Sequence, residues 1–418
     1  MARNRRGVTP AAASPPPDAA AAILAERGRT LERVQALARE HAGLRRVAHD
    51  AQLREALTRT ELGLALFEAA AGRAEAEARL RTQALAAWRR TAKVRPPRRH
   101  NRPSKAVDRF LARLGSLGQA LVIARSGVWR GEGRPLHDLR HMAAYARRGA
   151  RSDVAPPALF GQAAYLSAYP DVAAARVSPL VHYLVRGGFE GRAPASFFQP
   201  AWYAARHAHA LAATGLSPLE HYVRMGAREG ASPHPLFDVG HYLAQGVELA
   251  PDDDPLSHYL REGWTQGLSP GPLFDAAWYA AQVGSQVGSE TGPPLLHYLD
   301  QGWRDGASPH PLFDARWYRE TYPDVGDAGV DPLTHYLMEP PEHFRRPGPW
   351  FDAEAYWTAR GEDRPAGLNL LVDYLLGGAW AARDFGPGSS AAVYLTREPE
   401  LARTGVTPLE HWARQGRP

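Results

Sequence analysis

The sequence predicts an all-α protein, an array of short two-helix, solenoid-like repeats preceded by a long helical or coiled-coil arm. Three observations carry this. An aromatic motif returns about every 38 residues through residues 140–418. Ser-Pro and Asp-Pro pairs recur at fixed places in that period, where they read as helix starts. Ala, Leu, Arg, Glu and Gln dominate the stretch from Asp18 to about Arg90. With 418 residues, 44% hydrophobic and 22% charged, the chain is long enough for more than one globular unit.

Residues 1–17, rich in Ala and Pro, lack the apolar content for a core and read as a disordered tail. Residues 18–93 form the helical arm. Leu24, Leu31, Val34, Leu37, Leu44 and Val47, then Leu57, Leu64 and Phe67, recur at steps of three, four and seven, as in an amphipathic helix or coiled coil. Gly28, Gly43, Gly63 and Gly72 each cost about 1 kcal/mol relative to Ala. One rod and a helical hairpin therefore both stay open. Residues 94–104 hold three prolines and four arginines, a stiff basic linker. Residues 105–139, with Phe110, Leu111, Leu114, Leu117, Leu121 and Val122, resume a helical pattern as a connector.

Residues 140–418 hold about seven repeats. Pro-Leu-x-His-Tyr stands at Pro179–Tyr183, Pro218–Tyr222, Pro255–Tyr259, Pro294–Tyr298 and Pro332–Tyr336. A variant closes the series at Pro408–Trp412, and Leu370–Tyr374 is a degraded copy. The markers are thus Tyr183, Tyr222, Tyr259, Tyr298, Tyr336 and Tyr374, with Tyr145 an eroded first copy. In parallel run Phe160, Phe198, Phe237, Phe274, Phe313 and Phe351, each followed five residues later by a Tyr. Two markers held in register over seven periods are a repeat architecture. Within one unit, Asp314 is placed to cap a helix carrying Trp317 and Tyr318, and Asp331-Pro332 opens a second. Gly187, Gly226, Gly263 and Gly302 follow the second helix and read as left-handed caps. Helices this short must bury their aromatic faces on neighbouring units.

Charge is uneven. Residues 1–150 carry 30 basic and 13 acidic side chains, the rest 20 and 31, and Lys93 and Lys105 are the only lysines. A basic, Arg-rich N-terminal part fits a phosphate-rich or anionic partner, while GC-rich coding alone gives the same composition. No apolar run nears the roughly 20 residues of a membrane helix. The N-terminus lacks the apolar core of a secretory signal. The absence of cysteine excludes disulfides, thiol nucleophiles and thiolate zinc sites.

No catalytic residue, cofactor site or metal site is expected. His182, His221, His258, His297 and His335 lie one repeat apart, too far to converge on an ion, and Asp373 replaces the next. They read as ties between helix and turn. The pairs Trp202-Tyr203, Trp278-Tyr279 and Trp317-Tyr318 fit core packing better than a sugar-stacking face. Asp252-Asp253-Asp254 has the look of a metal motif but sits in a loop, where Asp254 is explained as a cap. Phosphate-binding glycine loops and the nucleophile elbow are missing from the sequence.

Phe-Asp-x-x-Trp-Tyr at Phe313–Tyr318, Tyr-Pro-Asp-Val at Tyr322–Val325 and Asp-Pro-Leu-x-His-Tyr-Leu at Asp331–Leu337 together resemble the roughly 38-residue repeat attached to bacterial glycosyltransferases and rhamnan-synthesis F-type proteins. The resemblance covers residues 140–418 without a catalytic domain. It implies a non-catalytic scaffold or accessory role in cell-surface polysaccharide assembly, with glycan-assembly enzymes or a second copy as partners. It places the chain in the cytoplasm or at the periphery of the inner membrane. The alternatives are a divergent glycosyltransferase component and a binder of anionic surfaces or nucleic acid through the basic N-terminal arm.

Overall fold

The computed structural model describes residues 17–91, 109–129, 134–149, 158–174, 178–250, 253–288, 292–361, 365–381 and 391–415, apart from Leu111 and Ala366. The tail through residue 16 and the Pro/Arg linker named above lie outside these residues; Pro17, the last residue assigned to the tail, opens the arm helix. Among the described residues the fold is all-α, with two isolated bridges and no strand. The chain divides into two units, Met1–Leu64 and Ala65–Pro418.

The arm is one helix, α1 (Pro17–Thr91), rather than a hairpin. Its run of strong helix formers tolerates Gly28, Gly43 and Gly72 because nothing packs against those positions. In the first unit the apolar positions Leu31, Val34, Leu37, Leu44 and Val47 stay 56–67% exposed.

In the second unit, α2 (Gly115–Ser126) packs on α3 (Pro135–Arg148). Tyr145 of α3 is fully buried, and its hydroxyl donates to Gln162 Oε1 at 2.6 Å and accepts from the Leu180 amide at 3.3 Å. Seven copies follow; in the first six a first helix comes after the Phe marker and a second leads into or through the Tyr marker, while the seventh has no Phe marker and carries Trp412 in place of the Tyr. The first helices run Gln162–Ala168, Pro200–Arg206, Val239–Ala244, Ala276–Val283, Ala315–Thr321, Ala353–Arg360 and Ala391–Arg397. Asp238, Asp275, Asp314 and Asp352 cap theirs by accepting the amide three residues on. Copies one, two, five and seven insert a further short helix: Pro170–Ala173, Ala208–Thr214, Asp324–Ala328 and Leu401–Thr404. Two helices per unit is therefore the minimum rather than the rule.

Both markers are interior. Phe160, Phe198, Phe237, Phe274, Phe313 and Phe351 are at most 1% exposed, and the Tyr markers from Tyr183 to Tyr374 at most 2%. In each of the first six copies the two tyrosines meet edge to face, as in Tyr279 and Tyr298 with centroids 5.7 Å apart at 90°. Such pairs add about 0.5–1.5 kcal/mol beyond burial. Copies are stitched by backbone bonds. The cap amide donates to a proline carbonyl of the next connector: Gly161 to Pro194, Gln199 to Pro233, Asp238 to Pro270, Asp275 to Pro309 and Asp314 to Pro347, at 2.8–3.1 Å.

The reading of Gly187, Gly226, Gly263 and Gly302 as left-handed caps is corrected. Gly226 is helical, with φ −57° and ψ −43°. The second helix widens at Tyr222–Gly226, Tyr259–Gly263, Tyr298–Gly302 and Tyr374–Gly378 into a π turn, where an amide bonds to the carbonyl five residues back. The left-handed residues come four positions after the predicted ones, at Gly191, Gly230, Gly267 and Gly306. There the carbonyls of Gly187, Gly226, Gly263 and Gly302 accept the amides of Arg192, Ala231, Leu268 and Ala307. A methyl on Gly187, Gly226, Gly263, Gly302 or Gly378 would lie less than 3.0 Å from a tyrosine hydroxyl of the same copy. Glycine is required for this approach, not for its dihedral freedom.

The array also winds back on itself. Arg414 pairs with Asp275, and His310 Nε2 lies 3.9 Å from Glu410 Oε1. The last third of α1 spans two stretches of the array. Phe67 packs edge-on to Trp380 and Arg73 donates to the Ala402 carbonyl. Further along, Arg81 pairs with Asp238, Trp88 Nε1 donates to Ala227 O at 3.0 Å, and Arg89 donates to Glu229 O.

Candidate functional site

The recurring polar residues converge, but in pairs inside each copy. The tyrosine five residues after the Phe marker bonds the marker histidine through Nδ1: Tyr165–His182 at 3.0 Å, Tyr203–His221 at 2.8 Å, Tyr242–His258 at 2.6 Å, Tyr279–His297 at 2.7 Å and Tyr318–His335 at 3.1 Å; in copy seven, which lacks the Phe, Tyr394 bonds His411 the same way at 2.9 Å. In the sixth copy Asp373 takes the imidazole's place, accepting from Tyr356 at 2.6 Å and from Arg360 at 2.7 Å.

Burial sets the electrostatics. It pushes the Tyr165, Tyr203, Tyr242, Tyr279 and Tyr318 hydroxyls far above the ordinary phenol range. It holds the His182, His221 and His335 imidazoles below theirs. In copies one, two and five a phenol held toward its protonated form meets an imidazole held toward its neutral form, which fits a hydrogen-bonded tie. The marker tyrosines point onward to the next copy. Tyr222 donates to the capping carboxylate Asp254 at 3.1 Å. The hydroxyls of Tyr183, Tyr259 and Tyr336 face the amides of Leu219, Leu295 and Leu371.

Of the acidic triplet, Asp252 lies outside the described residues. Asp253 pairs with Arg261 at 2.6 Å, and Asp254 caps its helix at the Ser257 amide. Among the described residues no group of three or more His, Asp or Glu side chains is placed to hold a metal ion. Tyr203, Tyr279 and Tyr318 are fully buried, whereas Trp202, Trp278 and Trp317 are half-buried. Arg192 in copy one and Arg345 in copy five each pair with the aspartate of Tyr-Pro-Asp-Val, Asp171 and Asp324, and lie 4.8 Å over its tyrosine ring, Tyr169 and Tyr322. In these two copies the motif is a staple.

Among the described residues a cavity of about 140 Å³ lies where copies two and three face copies five and six. Trp202, Arg206, Leu236, Leu337, Leu368 and Asn369 are in its wall. Sequence reasoning missed it because its residues are far apart in the chain. The histidines, read from the sequence as ties between helix and turn, instead tie the two helices of a copy, to a tyrosine 16 to 18 residues earlier.

Comparison with protein-family models, with curated proteins and with solved structures finds no match to this chain.

Proposed function

We propose that the chain is a non-catalytic repeat scaffold in the assembly of bacterial cell-surface polysaccharide. One observation supports a non-catalytic role above the others: the array's recurring Tyr–His pairs and capping Asp side chains are engaged within the array. The setting comes from the likeness of Phe313–Leu337 to repeats attached to glycosyltransferases. The working place is the cytoplasm, against the inner membrane where such enzymes act. Among the described residues no helix is long and apolar enough to cross a membrane.

Partnering falls to the arm. The stretch 17–64 carries eight arginines and seven carboxylates, so the basic excess lies elsewhere. A near-neutral helix with Leu and Val exposed along it favours a second copy over an anionic surface. Light scattering of the full chain at low and high salt tests this: an oligomer that persists in high salt fits apolar pairing, whereas a monomer at both removes it. For the function, deletion of the gene should lower surface polysaccharide, while purified chain with sugar nucleotides and divalent metal should release no nucleotide. Metal-dependent turnover lost in Asp252→Asn/Asp254→Asn would overturn the reading.

A further inference from the structure

We propose that α2 and α3 form a docking surface that lays the chain against an anionic phospholipid bilayer. The starting observation is where large apolar side chains stay in solvent. Among the described residues from 65 to 418 nine such side chains are exposed, and five of them fall between Phe110 and Leu136. They are Phe110, Leu114, Leu117, Leu121 and Leu136, at 62, 55, 65, 44 and 77%. The array otherwise seals its apolar residues inside. A local concentration of exposed apolar surface marks an interaction site.

Helix geometry sets these residues on outward faces. α2 buries Gly118, Gln119, Val122, Ile123 and Ser126. That side is fastened to the array: Gln119 Oε1 accepts the Ser178 amide at 3.1 Å, and the Ser126 carbonyl accepts from Arg224 Nε at 3.0 Å. With about 3.6 residues per turn, the exposed Leu117, Leu121 and Ala124 lie on the opposite side. On α3, Met142, Ala143, Tyr145 and Ala146 are buried, while Leu136, Arg140 and Arg147 share the exposed side. Leucine and arginine side by side on a helix whose other face is held down is the composition of an interfacial helix.

Charge selects the occupant. The described part of 109–149 carries seven arginines, all exposed, against one carboxylate, Asp138. Residues 151–418 carry 20 basic and 31 acidic side chains. An anionic leaflet attracts the first group and repels the second, so docking by this end turns the array toward water. A second copy offering the same face would set arginine against arginine. Nucleic acid would meet the arginines but would leave Leu117, Leu121 and Leu136 in water, whereas the headgroup boundary takes both kinds of side chain. Lipid contact thus falls to α2 and α3, and the near-neutral stretch 17–64 is left for pairing of copies. The inference rests on the reading above for its setting at the inner membrane.

The test is flotation of the full chain with vesicles of pure phosphatidylcholine and with vesicles in which phosphatidylglycerol is about a third of the lipid. Expected is binding to the anionic vesicles about tenfold or more tighter than to the neutral ones, weakening as salt rises. Leu117→Ser/Leu121→Ser should keep its Tm, because both side chains already face solvent, and lose about tenfold in partition. Arg140→Gln/Arg147→Gln should lose about fivefold for each arginine. Leu37→Ser/Leu44→Ser, in the arm, should float as the parent does. No flotation, equal binding to both vesicles, full binding by Leu117→Ser/Leu121→Ser, or binding lost in the arm variant would each overturn the assignment. So would duplex DNA that binds as tightly as the vesicles and is indifferent to Leu117→Ser/Leu121→Ser, or loss of self-association rather than of flotation in that variant. A chain that floats while gene deletion leaves surface polysaccharide unchanged refutes the scaffold reading alone. A chain that does not float while deletion lowers the polysaccharide refutes only the docking surface.

Discussion

Gly226→Ala separates two views of the repeat by the sign of its effect. Gly226 has helical dihedrals, so alanine there gains about 1 kcal/mol from propensity alone. The new methyl, however, would meet Tyr203 Oη at less than 3.0 Å, while its next neighbours, Ala231 Cβ and His221 Nδ1, stand at an ordinary 3.4 Å. Tyr203 is fully buried and cannot swing into solvent. Displacing it costs roughly 1–3 kcal/mol as overpacking, and breaking its 2.8 Å bond to His221 strands a buried donor and acceptor for about 1–3 kcal/mol more. Net of propensity, the variant should be less stable by about 1–5 kcal/mol in urea denaturation followed by far-UV circular dichroism. Tyr203→Phe removes the one atom in conflict. The double variant should therefore be more stable than Gly226→Ala alone and close to Tyr203→Phe. Gly267→Ala is the control: its φ is +75° with open space around it, so a backbone cost of about 1 kcal/mol is expected and no tyrosine substitution should rescue it. A stabilised Gly226→Ala, or effects that simply add in the double variant, would refute the close-approach account.

Asp373→His restores the residue common to the other copies yet should destabilise, by about 3–5 kcal/mol, because Arg360, only 10% exposed on its side chain, loses its carboxylate; a raised Tm would contradict this. His234 is buried, accepts the Leu236 amide on Nδ1, and has its pKa pushed down to about 3. The unfolded chain takes up that proton near pH 6.5, so the contribution is complete above about 6.5 and lost as pH falls, reaching roughly 2 kcal/mol by pH 5. His234→Asn keeps an acceptor without titrating, and its Tm should fall less over that range; identical pH profiles would count against the burial argument. Trp88→Ala removes a side chain that is 7% exposed and bonded to Ala227 O, and should cost about 3–5 kcal/mol by thermal melting; an unchanged midpoint would mean that α1 does not brace the array.

What the sequence made legible was the local and periodic part. The Phe and Tyr markers lie in the core, and Asp314 and Asp331 cap their helices at the amides of Trp317 and Thr334. Each of these depends on residues within one period. A glycine after a helix signals a cap from the chain alone, whereas the true constraint on Gly226 is Tyr203, on the other helix of the same copy. The pairing of Arg81 with Asp238 and the cavity at Arg206 depend on how the array winds, which accumulates from small rotations between copies and leaves no spaced motif.

The last third of α1 has a mechanical consequence. Residues Phe67 to Trp88 are about 32 Å of continuous helix, fastened to the copies around Trp380 and Ala402 at one end and to those around Ala227 and Asp238 at the other. A plain stack of repeats under tension extends like a spring, unit by unit. Here a pull that separates the copy holding Ala227 from the copy holding Ala402 is carried first by this splint, and its side-chain fastenings must shear before any copy unwinds. Stretched by those two points, the chain resists as a rigid link up to a threshold load and only then yields as a spring.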